Sequence, residues 1–274
     1  MDEIYIAGNS MQFAYRLRCT SGLWFCGCVE LRWLQWQFKD AWQYCYGRAN
    51  LLRIMTEPLH IQIVSDFVCP WCFVGKRRLD QALATRPELD VAIEWLPFQL
   101  SPDMPREGKL RKEHYKQIFG EERAGVIMAN MHDTGKEEGI DFGVSATAMS
   151  PNTLAAHCLL YQASRNAAID VNALVERLFS AHHEACLDIG STEVLAGIAA
   201  DSGMDRSATL ARLESGADEA AVTEMMQQIR SSDVSGVPFF VIDGRLGLSG
   251  AQPADVLLQA FDQLNEVPSS EVAE

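Results

Sequence analysis

Residues 60–66 read HIQIVSD, a β-rich run that ends three residues short of Cys69-Pro70-Trp71-Cys72. Pro58 bounds the run on one side and the Cys-Pro turn on the other, so it reads as a strand. Residues 70–85 then read as a helix. Proline is tolerated at a first helical position because its missing N–H has no partner there anyway. Leu79, Ala82 and Leu83 supply an apolar stripe at helical spacing, and Arg86-Pro87 ends it. Residues 91–96, VAIEWL, form a second strand. Strand, helix and strand over about 35 residues make a parallel βαβ unit with a right-handed crossover.

The pattern then changes. Residues 100–108, LSPDMPREG, are a proline-rich loop, and from about residue 109 to 232 only helical signals follow. The spacing predicts helices at 111–130, from Pro151 with Ser150 as N-cap, at 171–184, at 192–202, after Asp205, and at 218–231. Strand signals return at 238–242, PFFVI. Asp243-Gly244, a strong two-residue hairpin signal, follows, with an answering strand at 245–249. A last helix spans 253–264, and the polar tail 268–274 is expected to fray. The expected fold is one α/β sheet split by an all-helical insertion. Residues 55–108 and 233–274 form the sheet domain, and 109–232 the insertion.

Residues 1–54 differ from the remainder. They hold four of the six Trp and four of the eight Cys, no proline, and six basic against four acidic residues. Their charge of +2 leaves −16 on the rest of a chain whose total is −14. An appended hairpin or helical piece, a partner-binding segment, and upstream sequence read through before Met55 all fit this atypical N-terminal extension. The acidic balance argues against nucleic acid or an anionic membrane as partner, since both present phosphate. No uninterrupted apolar run is long enough to span a membrane, and no secretory signal pattern is present. A cytoplasmic protein with mostly reduced thiols is expected, any disulfide being transient and catalytic.

Cys69 falls where the first strand gives way to the first helix, among the unpaired N–H groups and partial positive charge of a helix start. Such a site favours thiolate over thiol and can bring a cysteine from about 8.5 to roughly 3.5–7.5. Cys72 sits one turn further in. The expectation is an exposed, acidic Cys69 that attacks a disulfide, and a shielded Cys72 that resolves the mixed disulfide. A zinc site and a pair of inert buried thiols are the alternatives. Zinc needs a second pair, and Cys158, Cys186, His157, His182 and His183 form no second C-x-x-C. Farther on, Ser235-Gly236-Val237-Pro238 precedes the strand FFVI. A cis bond before Pro238 lets the Val237 backbone face the cysteine loop and hydrogen-bond an extended substrate; an ordinary loop proline is the alternative.

Taken together, SDFVCPWCFVGKRRL, WLPFQLSPDMPREG, SPNTLAAH, SGVPFFVIDG and LSGAQP resemble the DsbA-like thiol–disulfide oxidoreductases, which have a thioredoxin fold interrupted by a helical domain. Within that family the chain is most similar to the FrnE-like subgroup and the related 2-hydroxychromene-2-carboxylate isomerases. The resemblance spans residues 59–264. It implies a thioredoxin-like βαβ…ββα fold, Cys69 as nucleophile, Cys72 as resolving thiol and Pro238 as a cis-proline. Cys186 departs from the family pattern and reads as an extra redox thiol or a buried spectator.

Other residues have weaker claims. Asn152 and His157 begin a helix that should face the groove, where His157 can assist proton transfer. Asp66 can relay protons. The N–H groups around Gln252 can bind a carboxylate such as that of glutathione. Lys76, Arg77 and Arg78 read as a solvated helix face, and Met225 and Met226 as core. The leading function is a dithiol–disulfide oxidoreductase or isomerase acting on protein or small-molecule disulfides. It needs no metal or tightly bound cofactor, and glutathione or a thioredoxin system resets it. A glutathione-dependent isomerase or transferase on the same fold, and a peptide-binding chaperone-like module, are the alternatives.

Overall fold

The computed structural model describes residues 58–266, Asp233 excepted, so the readings of residues 1–54 and 268–274 lie outside it. In chain order the elements are β1 (Leu59–Ser65), α1 (Pro70–Ala84), β2 (Val91–Pro97), β3 (Lys109–Leu110), α2 (Arg111–Phe119), α3 (Glu121–Glu137) and β4 (Met149–Ser150). They continue with α4 (Leu154–Ser164), α5 (Val171–His183), α6 (Thr192–Asp201), α7 (Arg206–Glu214) and α8 (Glu219–Arg230). The chain then returns to the sheet with β5 (Phe239–Ile242), β6 (Leu246–Ser249) and α9 (Ala254–Glu266).

The main sheet has the order β2-β1-β5-β6. β1 runs parallel to β2, with Ile61 beside Ile93 and Ile63 beside Trp95. β5 is antiparallel to β1, placing Phe240 opposite Ile63. The β5–β6 hairpin turns at Asp243-Gly244, both in the left-handed region at φ 53° and 64°, as the dipeptide predicts. Ile61, Ile63, Phe240 and Ile242 are buried and meet Phe73 and Leu79 of α1 and Leu257 and Phe261 of α9 in one core. This is the thioredoxin-like βαβ…ββα arrangement with a helical block, α2 to α8, between its halves.

Four local expectations fail. The helix expected at 111–130 is two helices, broken at Gly120 with φ 79°, a conformation that favours glycine. The second helix runs through Gly135 to Glu137, and the Phe142 ring packs directly over Gly135. Ser150 does not cap α4. It pairs with Lys109 in the β3–β4 ladder, a two-residue bridge too short to show periodicity. Thr153 stands at the N-cap instead, and the Asn152 side chain accepts from the Leu154 N–H at 3.0 Å.

The basic run of α1 is not a solvated face. Lys76 is only 5% exposed and pairs with Asp80 at 2.7 Å and Glu176 at 2.8 Å. Arg77 meets the same Glu176 at 2.5 Å, and Arg78 meets Glu138 at 2.6 Å. A buried ammonium needs such partners, because leaving water uncompensated is costly. The three cations therefore tie α1 to α5 and to the end of α3.

Candidate active site

Cys69 is the N-cap residue of α1, with extended backbone and no side-chain cap hydrogen bond. Its N–H donates to the Asp66 carbonyl at 3.0 Å, and its own carbonyl accepts from the Cys72 N–H at 3.1 Å. The loop is thus wound as two successive turns. That thiol donates to the carbonyl of Val237 at 3.7 Å, and the Val237–Pro238 bond is cis. Gly75 permits the approach: a Cβ there would lie 3.1 Å from the Pro238 ring and 3.3 Å from Phe240.

The two sulfurs differ in setting, though not as the sequence suggests. Cys69 is 4% exposed and Cys72 1%, so Cys69 is not an exposed residue. What distinguishes it is access, since Cys69 lines an open cleft and Cys72 does not. Burial, then the hydrogen bond and charge of the neighbouring Cys69, push the Cys72 thiol well up. Smaller opposing pulls come from Ser65 and from the Asp66 backbone.

Asp66 organises the surroundings. Besides its backbone contacts to both cysteines, its carboxylate accepts from the Leu100 N–H at 2.8 Å. The same carboxylate lies 3.6 Å from Nε2 of His157. Both side chains are 1% exposed, and neither ring nitrogen of His157 has a hydrogen-bond partner among the described residues. The His157 ring packs 4.9 Å from Phe67. Sequence reasoning flagged the two residues separately; α4 carries His157 across to Asp66, a juxtaposition that no local signal contains.

Two further histidines lie beneath the loop. His183 Nε2 bonds the Phe67 carbonyl at 3.0 Å, and burial, then the Arg111 charge, bring it down to about 3. His182 is held well below the ordinary imidazole range by burial, then by His183 and Arg111. In the unfolded chain both rings take a proton near 6.5, whereas in the folded chain they stay neutral far below that. Their contribution is therefore full above pH 6.5 and is lost as pH falls below it, down to about 3 for His183. Unfolding free energies from urea titrations should drop across this window by up to about 1.4 kcal/mol per pH unit for each ring, and a flat profile from pH 7 to 4 would contradict the burial of these rings.

Asn152 and Gln252 do not reach the cleft. The Asn152 amide donates to the Met104 carbonyl and accepts from Gln99, bracing the loop after β2. The Gln252 side chain donates to the Ser249 carbonyl and its backbone N–H to the Gly250 carbonyl, so its backbone donor is already engaged. Cys186, at φ 55°, packs its sulfur against Gly143, outside the cleft lining. Cys158 is buried, and burial followed by Asp218 and Glu219 pushes its thiol up to about 12, a setting for an inert cysteine. Among the described residues no group of three His, Cys, Asp or Glu comes together as a metal site, and no helix is long and apolar enough to cross a membrane.

The cleft over Cys69 encloses about 180 Å³. Its floor is Asp66, Val68, Cys69 and Trp71, and α2 and α3 of the insertion supply Tyr115, Ile118 and Met131 from above. These insertion residues escaped the sequence reading, because nothing in helix periodicity tells which helix roofs a site. The arrangement holds one sulfur at a helix start, a second sulfur one turn further in, a backbone carbonyl 3.7 Å from the first, and a largely apolar cleft over Cys69.

Known proteins share this architecture. The chain is 26% identical over 205 residues to the uncharacterized protein YwbO of Bacillus subtilis, covering 74% of this chain and 96% of that one. A probable DsbA oxidoreductase from Streptomyces coelicolor superposes with a TM-score of 0.67 at 28% identity, over 79% of this chain and 94% of its own. A 2-hydroxychromene-2-carboxylate isomerase shares the fold at 18% identity, with a TM-score of 0.58 over 75% of this chain and 96% of the isomerase. Residues 60–262, which contain the sheet, the helical block and the cysteine loop, match the DSBA-like thioredoxin domain, and the chain belongs to that family.

Proposed function

We propose that this chain is a dithiol–disulfide oxidoreductase or isomerase working through Cys69 and Cys72. The observation that carries this reading is the placement of the Cys69 sulfur. It stands at the start of α1, on the floor of an open cleft, 3.7 Å from the Val237 carbonyl, with Cys72 one turn behind it.

In the reducing direction Cys69, as thiolate, attacks one sulfur of a substrate disulfide. A bond forms between that sulfur and Cys69 Sγ, and the substrate S–S bond breaks. The electron pair leaves on the second substrate sulfur, which takes up a proton. Cys72 then gives up its proton and attacks Cys69 Sγ, releasing the first substrate sulfur as a thiol. The substrate gains two electrons and two protons, and the 69–72 pair ends as one disulfide. Run backwards, the same steps oxidise a dithiol.

Cys72 is poorly ionised where it lies, so its proton needs an acceptor. In this reading Asp66 is the acceptor: its backbone hydrogen-bonds the Cys72 sulfur, and its carboxylate lies 3.6 Å from His157 Nε2. Val237 holds the main chain of an extended substrate through its backbone, with Pro238 shaping that loop. Asn152 and Gln252 act indirectly, by fixing the loops around the cleft. The two sulfurs carry the electrons, and glutathione or a thioredoxin system returns them in a reducing compartment such as the cytoplasm.

Trapping tests the reading. Incubated with a disulfide substrate, the Cys72→Ser protein should accumulate a mixed disulfide that peptide mapping places on Cys69. An adduct on Cys158 or Cys186 instead, or no adduct, would overturn the assignment of roles.

A further inference from the structure

α2 turns one side toward the cleft and gives no fully buried side chain to the core. His114, Tyr115 and Ile118 line the cleft together with Cys69, and with Arg111 their spacing marks one helical face. The start of that helix is fixed. Arg111 donates its backbone N–H to the Ala148 carbonyl at 2.8 Å and its guanidinium to the His182 carbonyl at 2.9 Å. Tyr115 follows one turn later, with its ring edge-on to Phe119 at 5.9 Å. Its hydroxyl makes no hydrogen bond among the described residues. Burial raises it above the ordinary tyrosine range; the charge of Arg111 pulls against this and that of Cys69 adds to it. The hydroxyl therefore keeps its proton at neutral pH and is free to donate.

Sulfur chemistry calls for a donor at this point. When Cys72 attacks Cys69 Sγ, negative charge grows on the substrate sulfur, which until then stood about 2 Å from Cys69 Sγ. Little around it answers that charge. Among the described residues no Lys or Arg lines the cleft. His114 and His182 are held below the ordinary imidazole range, chiefly by burial, and carry no charge at neutral pH. The Val237 carbonyl, 3.7 Å from Cys69 Sγ, is an acceptor and offers a thiolate nothing. A charged sulfur left there without a donor is costly. Tyr115 feels the charge of Cys69 without hydrogen-bonding its sulfur, which leaves room between them for the sulfur of a substrate.

We propose that Tyr115 is a catalytic residue: its hydroxyl donates a hydrogen bond to the substrate sulfur as that sulfur leaves Cys69. The proposal rests on the redox reading, because it concerns the second exchange. In that step the bond between Cys72 and Cys69 forms, the bond between Cys69 and the substrate sulfur breaks, and the electron pair stays on the departing sulfur. Tyr115 stabilises that charge as it grows and keeps its own proton, and the sulfur takes up a proton from water. Run backwards, the same hydroxyl orients an incoming thiolate toward Cys69.

Leaving-group dependence separates this role from a structural one. Reduced protein is mixed with hydroxyethyl disulfide, whose alkyl thiolate leaves poorly, or with dithiobis(nitrobenzoic acid), whose aromatic thiolate leaves well. Mass spectra of acid-quenched samples follow the Cys69 adduct as it forms and as Cys72 resolves it. Tyr115→Phe removes a hydroxyl that no other described residue uses. It should slow resolution of the hydroxyethyl adduct about tenfold, the worth of one hydrogen bond to a charged sulfur, and that of the aromatic adduct less than about twofold. Equal slowing of both adducts would mark Tyr115 as structural, and no slowing of either would show its hydroxyl idle; each result overturns the proposal. A native protein that forms no Cys69 adduct with either disulfide fails at an earlier point and overturns the redox reading beneath it.

Discussion

Cys69→Ser is expected to abolish insulin reduction, a loss on the order of a thousandfold or more, as when other enzymes lose their nucleophile. The substitution changes one atom and leaves the geometry intact. A serine hydroxyl is too short to keep the thiol's 3.7 Å contact with the Val237 carbonyl, but the N-cap position of α1 tolerates serine well. The loss is therefore chemical: an alcohol at neutral pH is neither an effective nucleophile toward sulfur nor a partner for a second thiol. Cys72→Ser should behave differently, completing the first exchange and stalling at the second. Insulin turbidity and the melting temperature, read together, decide the matter. Activity retained by Cys69→Ser would mean that another thiol does the work, and activity lost along with the fold would mean that Cys69 is structural.

Phe179→Ala should produce the largest loss of stability, about 3–5 kcal/mol, the range for deleting a fully buried phenylalanine. Phe179 is 0% exposed. It stacks on Phe73 at 5.2 Å, tilts against Phe67 at 5.4 Å, and meets Trp95 at 6.4 Å and His183 at 6.1 Å. These rings come from α1, from the loop before Cys69, from β2 and from α5, so one side chain of the helical block packs against the cysteine helix and the loop that leads into it. The cavity left behind loosens Phe67, whose carbonyl holds His183, and activity should fall with stability. Urea unfolding measures the first effect and insulin reduction the second. A loss below about 1 kcal/mol would show that the helical block and the sheet pack independently.

Local signals carried the frame of the molecule and the identity of its sulfur pair. Pro70 and Pro253 marked helix starts, Asp243-Gly244 marked the hairpin, and C-P-W-C marked the strand–helix junction, because each acts on its immediate neighbours in the chain. The hydrogen bond between Cys69 and Val237 spans 168 residues; the motif pair pointed to the Val237 backbone facing the cysteine loop, not to this bond. Legibility ended where distant segments decide the outcome. Lys76 looked solvated because nothing in its helix announces Glu176, a hundred residues on. Asp66 and His157 looked like separate minor candidates because their contact depends on how α4 docks. Cys69 looked exposed because the roof, made by α2 and α3, has no sequence mark of its own. Gln252 looked available because its hydrogen bonds to Ser249 and Gly250 are a property of the folded turn.

Equilibration of the purified protein across a series of dithiothreitol redox buffers, with each cysteine then mapped by alkylation and mass spectrometry, tests the central claim most directly. The account predicts a single two-electron transition, about 30 mV per tenfold change in the equilibrium constant, in which Cys69 and Cys72 lose reactivity together and one 69–72 disulfide appears while Cys158 stays a free thiol. A transition assigned to any other pair, or no transition with Cys69 and Cys72 remaining free thiols under oxidising buffer, would contradict it.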